Sequence, residues 1–430
     1  MGESRKSRGL RRYVWAPLAL VLLLRVGDAV LVSGSAAAAR LPRIPSGSHW
    51  VASWGASPQP ATKGNLSQPG FRGETLREIM VTSVGGVRMR VRFTNLFGTR
   101  PLRIGRAALA VEGHGANLVP GTSTPVYFAG RRSIVIAPGG EVTSDPVPLA
   151  AGPAEHLAVS VFLPGPTGPA TEHADAEQVN YVTAGQHLLA GAGVFRTRTY
   201  SWYFLDGLDV LALPRIEGAV VALGDSITDG VGTAANADAR WPNDLARRLA
   251  ARTGGTLGVL DEGIGGNRVL NDAPCCGVSA VARFRRDVLG QPGVRDVILL
   301  EGINDIGYSQ SHSALTEPHT NVSAAQIIRG YERIIALAHA AGLKIFGATL
   351  TPFGGSRNWT PAGEAKRDAV NEWIRTSGAF DGVIDFAAVV ADRQDPERLN
   401  PSFDSGDHLH PNAAGYRAMA AAINPAMLLR

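Results

Sequence analysis

Cysteine is nearly missing from this 430-residue chain: Cys275 and Cys276 are the only two, and they are neighbours. A disulfide-stapled fold is thereby excluded, and the lack of Cys-x-x-Cys spacing excludes a cysteine-based zinc site. The pair either closes a strained vicinal disulfide or remains two thiols, and the sequence leaves both open. His-x-x-x-His spacing is also absent, and no carboxylates cluster beyond Asp225, Asp229 and Asp305. Neither a metal nor any other cofactor is expected. No internal stretch reaches the roughly 18 apolar residues of a membrane-spanning helix, and there are no internal repeats.

Net charge is lacking too, once the N-terminus is set aside. The whole chain carries +5, but residues 1–40 hold seven basic and two acidic side chains, leaving 35 of each sign in the remainder. The basic balance belongs to the leader, so no nucleic-acid partner is expected. Arg5, Lys6, Arg8, Arg11 and Arg12 open that leader, followed by an apolar run at 15–24 and small residues at 33–39. This is the layout of an export signal. Residues 1–40 are read as a signal peptide, which predicts a secreted protein with no stable membrane span after cleavage. A monomer is expected.

Against these absences, 45% of residues are hydrophobic and 18% charged, as in a globular protein, and the length favours two domains. Residues 48–212 alternate apolar and polar side chains over short runs, clearest at 88–93. Turn signals such as Gly85-Gly86 and Pro138-Gly139-Gly140 separate the runs. The pattern predicts a jelly-roll-like all-β sandwich with strands near 78–83, 87–93, 102–111, 126–128, 133–136 and 157–163. Residues 217–430 follow a different grammar. Apolar runs at 219–223, 257–260, 297–300, 345–350 and 383–386 alternate with helical patterns at 241–251, 279–289, 324–341, 361–377 and 411–423. Five such units predict a doubly wound, flavodoxin-like α/β domain with a five-stranded parallel sheet. Its site belongs at the carboxyl ends of the strands.

Four short blocks stand out in this second half: Gly224-Asp225-Ser226-Ile227, Gly265-Gly266-Asn267, Gly302-Ile303-Asn304-Asp305 and Asp407-His408-Leu409-His410. The first three follow strand ends. Ser226 offers a hydroxyl just past a sharp Gly-Asp turn, although a turn-capping serine would look the same. Its surroundings are not Gly-x-Ser-x-Gly. Gly263-Ile264-Gly265-Gly266-Asn267-Arg268 is no dinucleotide fingerprint, because Arg268 stands where a glycine is needed. A glycine amide there can approach a substrate oxygen closely, and the Asn304 amide donates without titrating, as an oxyanion donor must. Asp407 and His410 lie three apart before Pro411, which suits the first position of a helix. The carboxylate can reach Nδ1 of His410 and leave Nε2 for the serine. His408 competes, but adjacent side chains seldom face each other. Nucleophile, base, orienting carboxylate and oxyanion donors are the parts needed for acyl transfer to water.

These blocks resemble those of the SGNH (GDSL-type) hydrolases, with Ile227 standing where leucine is common. The resemblance covers about 219–430. It implies Ser226 as nucleophile, His410 as base and Asp407 as its orienting partner, with the amides of Ser226 and Gly266 and the Asn304 side chain as oxyanion hole. The all-β half, opening with Trp50-Val51-Ala52-Ser53-Trp54, is similar to that of a secreted, xylan-esterase-like branch, which implies an ester substrate on polysaccharide. No block in this half carries chemistry, so packing, covering the catalytic face and carbohydrate binding are equal prospects for it. The rim loops 306–320 and 352–360 offer Tyr308 and Trp359, and Trp241 starts the helix after the first block. These three are the candidate substrate contacts. The rim is polar rather than a continuous apolar channel, which favours short acyl groups on carbohydrate. A lipase or phospholipase acting on lipid esters and a non-catalytic carbohydrate-binding protein are the alternatives.

Overall fold

The structure, a computed structural model, describes residues 44–253 and 255–429; the expected signal peptide lies outside them. Two antiparallel sheets dominate the first segment. One has six strands in the order Thr197–Thr199, Asn180–Ala184, Glu74–Val81, His156–Leu163, Arg106–Val111 and Thr124–Val126. The other runs His49–Gly55, Leu205–Ala212, Met89–Thr94 and Glu141–Thr143. The single strand expected at 102–111 is two. Leu102–Ile104 pairs with Ile134–Ile136, whereas Arg106–Val111 pairs with His156–Leu163. The chain changes partner at Gly105, where a Cβ would press on the Pro164 ring.

Glu74–Val81 and Leu205–Ala212 are buried almost end to end, so these strands are covered on both faces and their polar residues must find partners inside. Arg92, buried, lies 3.8 Å from Asp209 and donates at 2.6 Å to Gln291 of the second segment.

In the second segment five parallel strands lie in the order Leu257–Gly263, Gly218–Gly224, Val294–Leu300, Lys344–Ala348 and Gly382–Ile384. Counted along the chain this is second, first, third, fourth, fifth, which puts the topological switch between the first and third strands. Helices Trp241–Thr253, Phe386–Val390 and Ala413–Ala422 pack as one group, and Ala280–Phe284, Ala324–Ala340 and Pro361–Thr376 as another. With helices on both sides, the first strand is buried along its whole length. Helix starts follow their caps. Ser323 and Gln326 form a capping box, and Thr360 caps a helix with Pro361 in its first turn. Several expected boundaries move, two of them at helices. The helix at 279–289 is α only over Ala280–Phe284 and widens to a π turn over Arg285–Leu289. The last helix starts at Ala413 rather than Pro411, because the Asn412 side chain accepts from the amides of Ala414 and Gly415.

The segments share a buried polar seam. Ala52 N–H donates to the Pro292 carbonyl at 2.9 Å, and Val259 N–H to Ser83 Oγ at 3.0 Å. Ser57 Oγ lies 2.6 Å from Glu262 Oε2 and accepts from Arg283 Nη1 at 2.9 Å. Burial pushes the Glu262 carboxyl well above its ordinary range. All described residues belong to one compact unit, and no helix among them is long and apolar enough to cross a membrane.

Candidate active site

The first parallel strand ends at Gly224 because nothing larger fits: a Cβ there would collide with Thr228 Oγ1 and the Leu300 carbonyl. Asp225 then caps the short helical turn Ser226–Asp229, its carboxylate accepting from Ile227 N–H at 2.9 Å. Gly230, at φ +97°, closes the turn. Ser226 is thus held at the start of a helical turn, nearly buried, and His410 Nε2 lies 2.8 Å from its Oγ.

His410 is held by its own loop. Asp407 Oδ2 sits 2.5 Å from Nδ1, while Asp407 Oδ1 accepts from the amides of Leu409 and His410, both at 2.9 Å. Burial pushes the Asp407 carboxyl up. The hydrogen bond from the His410 ring and those two amides more than reverse this, and hold it well below the usual carboxylate range. A carboxylate that stays ionised fixes the imidazole as the tautomer protonated at Nδ1, leaving Nε2 to take the serine proton. His408, the competing base, turns the other way. It sits at φ +63° with Nδ1 2.6 Å from Asp404, exposed.

The two middle blocks meet in front of Ser226. Gly266 adopts φ +74°, and a Cβ there would collide with the Tyr308 hydroxyl and the Cys276 sulfur. Glycine is required twice over. Asn304 follows Gly302, whose φ of +132° also calls for glycine. One Asn304 Nδ2 hydrogen donates to the Asn267 carbonyl at 2.9 Å, which orients the amide and leaves its second hydrogen for a ligand. Asp305 braces the same loop by accepting from Val269 and Leu270 N–H at 2.7 and 3.2 Å, and burial pushes its carboxyl to about 7. Cys275 and Cys276 are joined as a vicinal disulfide.

Ser226, Asp407, His410, Gly266 and Asn304 all line one cleft of about 700 Å³. A hydroxyl that can pass its proton to imidazole, facing fixed amide donors, is suited to attack a carbonyl and hold the resulting oxyanion. Residues 222–418 match the GDSL-like Lipase/Acylhydrolase family. This segment is a GDSL-like acylhydrolase, an ester hydrolase. Solved structures similar to part of this chain include the acetyl xylan esterase AlAXEase (22% identity, covering 47% of this chain and 96% of that one, TM-score 0.36). A carbohydrate acetylesterase family member from Sinorhizobium meliloti (18%, 49% and 98%, 0.38) and TesA (17%, 49% and 98%, 0.37) are two others. No curated protein matches the chain.

Of the three aromatic candidates for substrate contact in the GDSL-like segment, the structure brings one to the cleft. Tyr308 lines it, its hydroxyl 3.7 Å from Cys276 Sγ. Trp241 does not. It is fully buried in the core, 5.5 Å from the Phe386 ring, because the first turn of its helix faces inward. Trp359 is half-buried against the hydrophobic core, while its neighbours Arg357 and Asn358 reach the cleft instead. Sequence reasoning missed Gln59, Thr62 and Asp175, which form a wall of the cleft from the β-rich segment. It also missed His173, whose Nε2 lies 3.1 Å from Asp229 just behind the first block. None of these sits in a recognisable motif. The only hint was Asp229, a carboxylate two residues past the first block with no partner nearby in sequence.

Proposed function

We propose that the chain is a secreted serine esterase that removes short acyl groups from carbohydrate, with residues 1–40 as its export signal, residues 48–212 as a β-rich domain and residues 217–430 as the catalytic domain. The observation that carries the reading is the continuous line Asp407–His410–Ser226, with spacings of 2.5 and 2.8 Å, opening on the cleft. Ser226 Oγ attacks the ester carbonyl as His410 Nε2 takes its proton. The oxyanion is held by the amides of Ser226 and Gly266 and by the Asn304 side chain. His410 then protonates the departing alcohol and activates the water that releases the acid.

The substrate class is inferred from the lining. Gln59, Thr62, Asp175, Ser356, Arg357 and Asn358 give hydroxyl-binding donors and acceptors around the cleft. A polyol leaving group fits these side chains, with Val231, Tyr308 and Leu409 left to face the acyl group. The test is hydrolysis of p-nitrophenyl esters from acetate to palmitate, wild type beside Ser226→Ala. Short esters should be cleaved fastest, and Ser226→Ala should lower kcat by about 10⁴-fold or more. A preference for palmitate would keep the mechanism and move the substrate to lipid. Undiminished activity in Ser226→Ala would refute the nucleophile.

A further inference from the structure

His173 belongs to the β-rich segment, in the short strand Glu172–His173 that pairs with Trp202–Tyr203. Its ring is buried between the two segments, and both nitrogens meet acceptors. Nδ1 lies 3.0 Å from the Ser57 carbonyl and Nε2 3.1 Å from Asp229 Oδ1. A carbonyl can only accept, so Nδ1 carries a proton, and the carboxylate beside Nε2 favours a second one there. Burial alone would push its pKa down. The Asp229 carboxylate and the Ser57 carbonyl overcome this and raise it to about 9, with Arg240 opposing. Asp175, Asp261 and Glu172 are the other charged groups around it.

Asp229 passes the constraint on. Its second oxygen, Oδ2, accepts from Gly265 N–H at 3.1 Å, one peptide unit before the Gly266 amide. Gly265 is also pressed from the other side, since a Cβ on it would lie 2.6 Å from Asp175 Oδ2. We propose that His173 is a positioning residue for the oxyanion loop: from the β-rich segment it fixes Asp229, which holds the Gly265 amide so that Gly266 presents its N–H to the developing oxyanion. The inference rests on the esterase reading above. It makes the β-rich segment part of the machinery that stabilises the transition state.

The adjoining cavity makes this testable. His173 and Asp229 line a void of about 260 Å³ with Trp54, Trp202 and Asn243, so a small ring has room to replace a missing side chain. In the full chain, His173→Ala should lower kcat for p-nitrophenyl acetate by about tenfold or more while KM stays within about twofold. Imidazole should restore much of that rate, whereas pyrazole, similar in size but uncharged at neutral pH, should not. His173→Ala combined with Asp229→Asn should be no slower than Asp229→Asn alone, because both act through one line of contacts. Equal rescue by both rings, additive losses, or an unchanged kcat in a folded His173→Ala would overturn the proposal. If His173→Ala does not fold, His173→Gln and Asp229→Asn decide. His173→Gln keeps a donor toward Asp229 and should stay faster than Asp229→Asn, and a kcat unaffected by Asp229→Asn would again overturn it. Ser226→Ala run alongside separates the two readings: if it stays active the esterase mechanism fails, and if it alone is inactive only the role of His173 fails.

Discussion

The two segments bring their groups to the cleft by different routes. In the α/β segment, Ser226, Gly266 and Asn304 each sit within three residues or so of a parallel strand's carboxyl end, and a short local turn aims each of them. In the β-rich segment, Gln59 and Asp175 reach the same place, and His173 the void behind it, from loops and strand ends scattered through the fold, held by pairings distant in sequence. The first arrangement leaves a signature because glycine, a capping carboxylate and the reactive side chain must be neighbours. The second leaves none, because its constraint is tertiary. A family match confined to 222–418 therefore delimits where the signature is, which is a narrower thing than where the active site is.

The sharpest way to break this contrast is to separate the segments. A fragment comprising 217–430 keeps all four blocks, but Arg283, Glu262 and Asp287 lose Ser57, and Asp229 loses His173. Each buried group that loses its hydrogen-bond partner costs about 1–3 kcal/mol. The fragment should be insoluble or lack a cooperative thermal transition, and should have no measurable esterase activity. A soluble, active fragment would reduce the β-rich segment to an appendage. A smaller effect sharpens the other side. Asn304→Ala removes one donor within the α/β segment and should lower kcat by about 10²–10³-fold with little change in thermal stability. Gly266→Ala should lose activity at least as severely, since it adds a collision with Tyr308 and Cys276.

The smallest effect concerns pH. The buried carboxyls of Asp225, Asp261 and Asp305 are each pushed by burial to about 7, so their influence on stability changes mainly below that. His173 is different. Although burial lowers it, Asp229 raises it from 6.5 to about 9 in the folded chain. A base whose pKa is raised on folding stabilises fully below its unfolded value, and this contribution fades as pH climbs to the folded one. Thermal melts should therefore shift down by a few degrees between about pH 7.5 and 9. His173→Gln should flatten that slope, and an equal slope in the variant would place the titration elsewhere.

Much of the architecture was legible. The parallel strands read as apolar runs because helices cover both faces, and the strand-end loops read as chemistry because few residue types tolerate those turns. Trp241 misled because the start of a helix after a catalytic loop resembles a rim, whereas its first turn faces the core. Trp359 misled because only the turn at 356–359, which sends Arg357 outward, decides which side chain reaches the cleft. His173 was illegible for a deeper reason. Its importance depends on Asp229, 56 residues away, and on the pairing of a two-residue strand that no local pattern announces.

One pairing has a consequence for biosynthesis. The strand His49–Gly55 lies against Leu205–Ala212, so the β-rich segment is closed by joining its first strand to its last. On the ribosome, the first strand waits for nearly the whole segment to emerge before its partner exists, with its edge unpaired and aggregation-prone meanwhile. The α/β segment follows at once, and its second parallel strand begins beside that newly closed seam, where Ser83 receives the Val259 amide. Synthesis thus delivers the supporting wall first and Ser226 second, so the proposed nucleophile enters a site whose rear contacts are already standing.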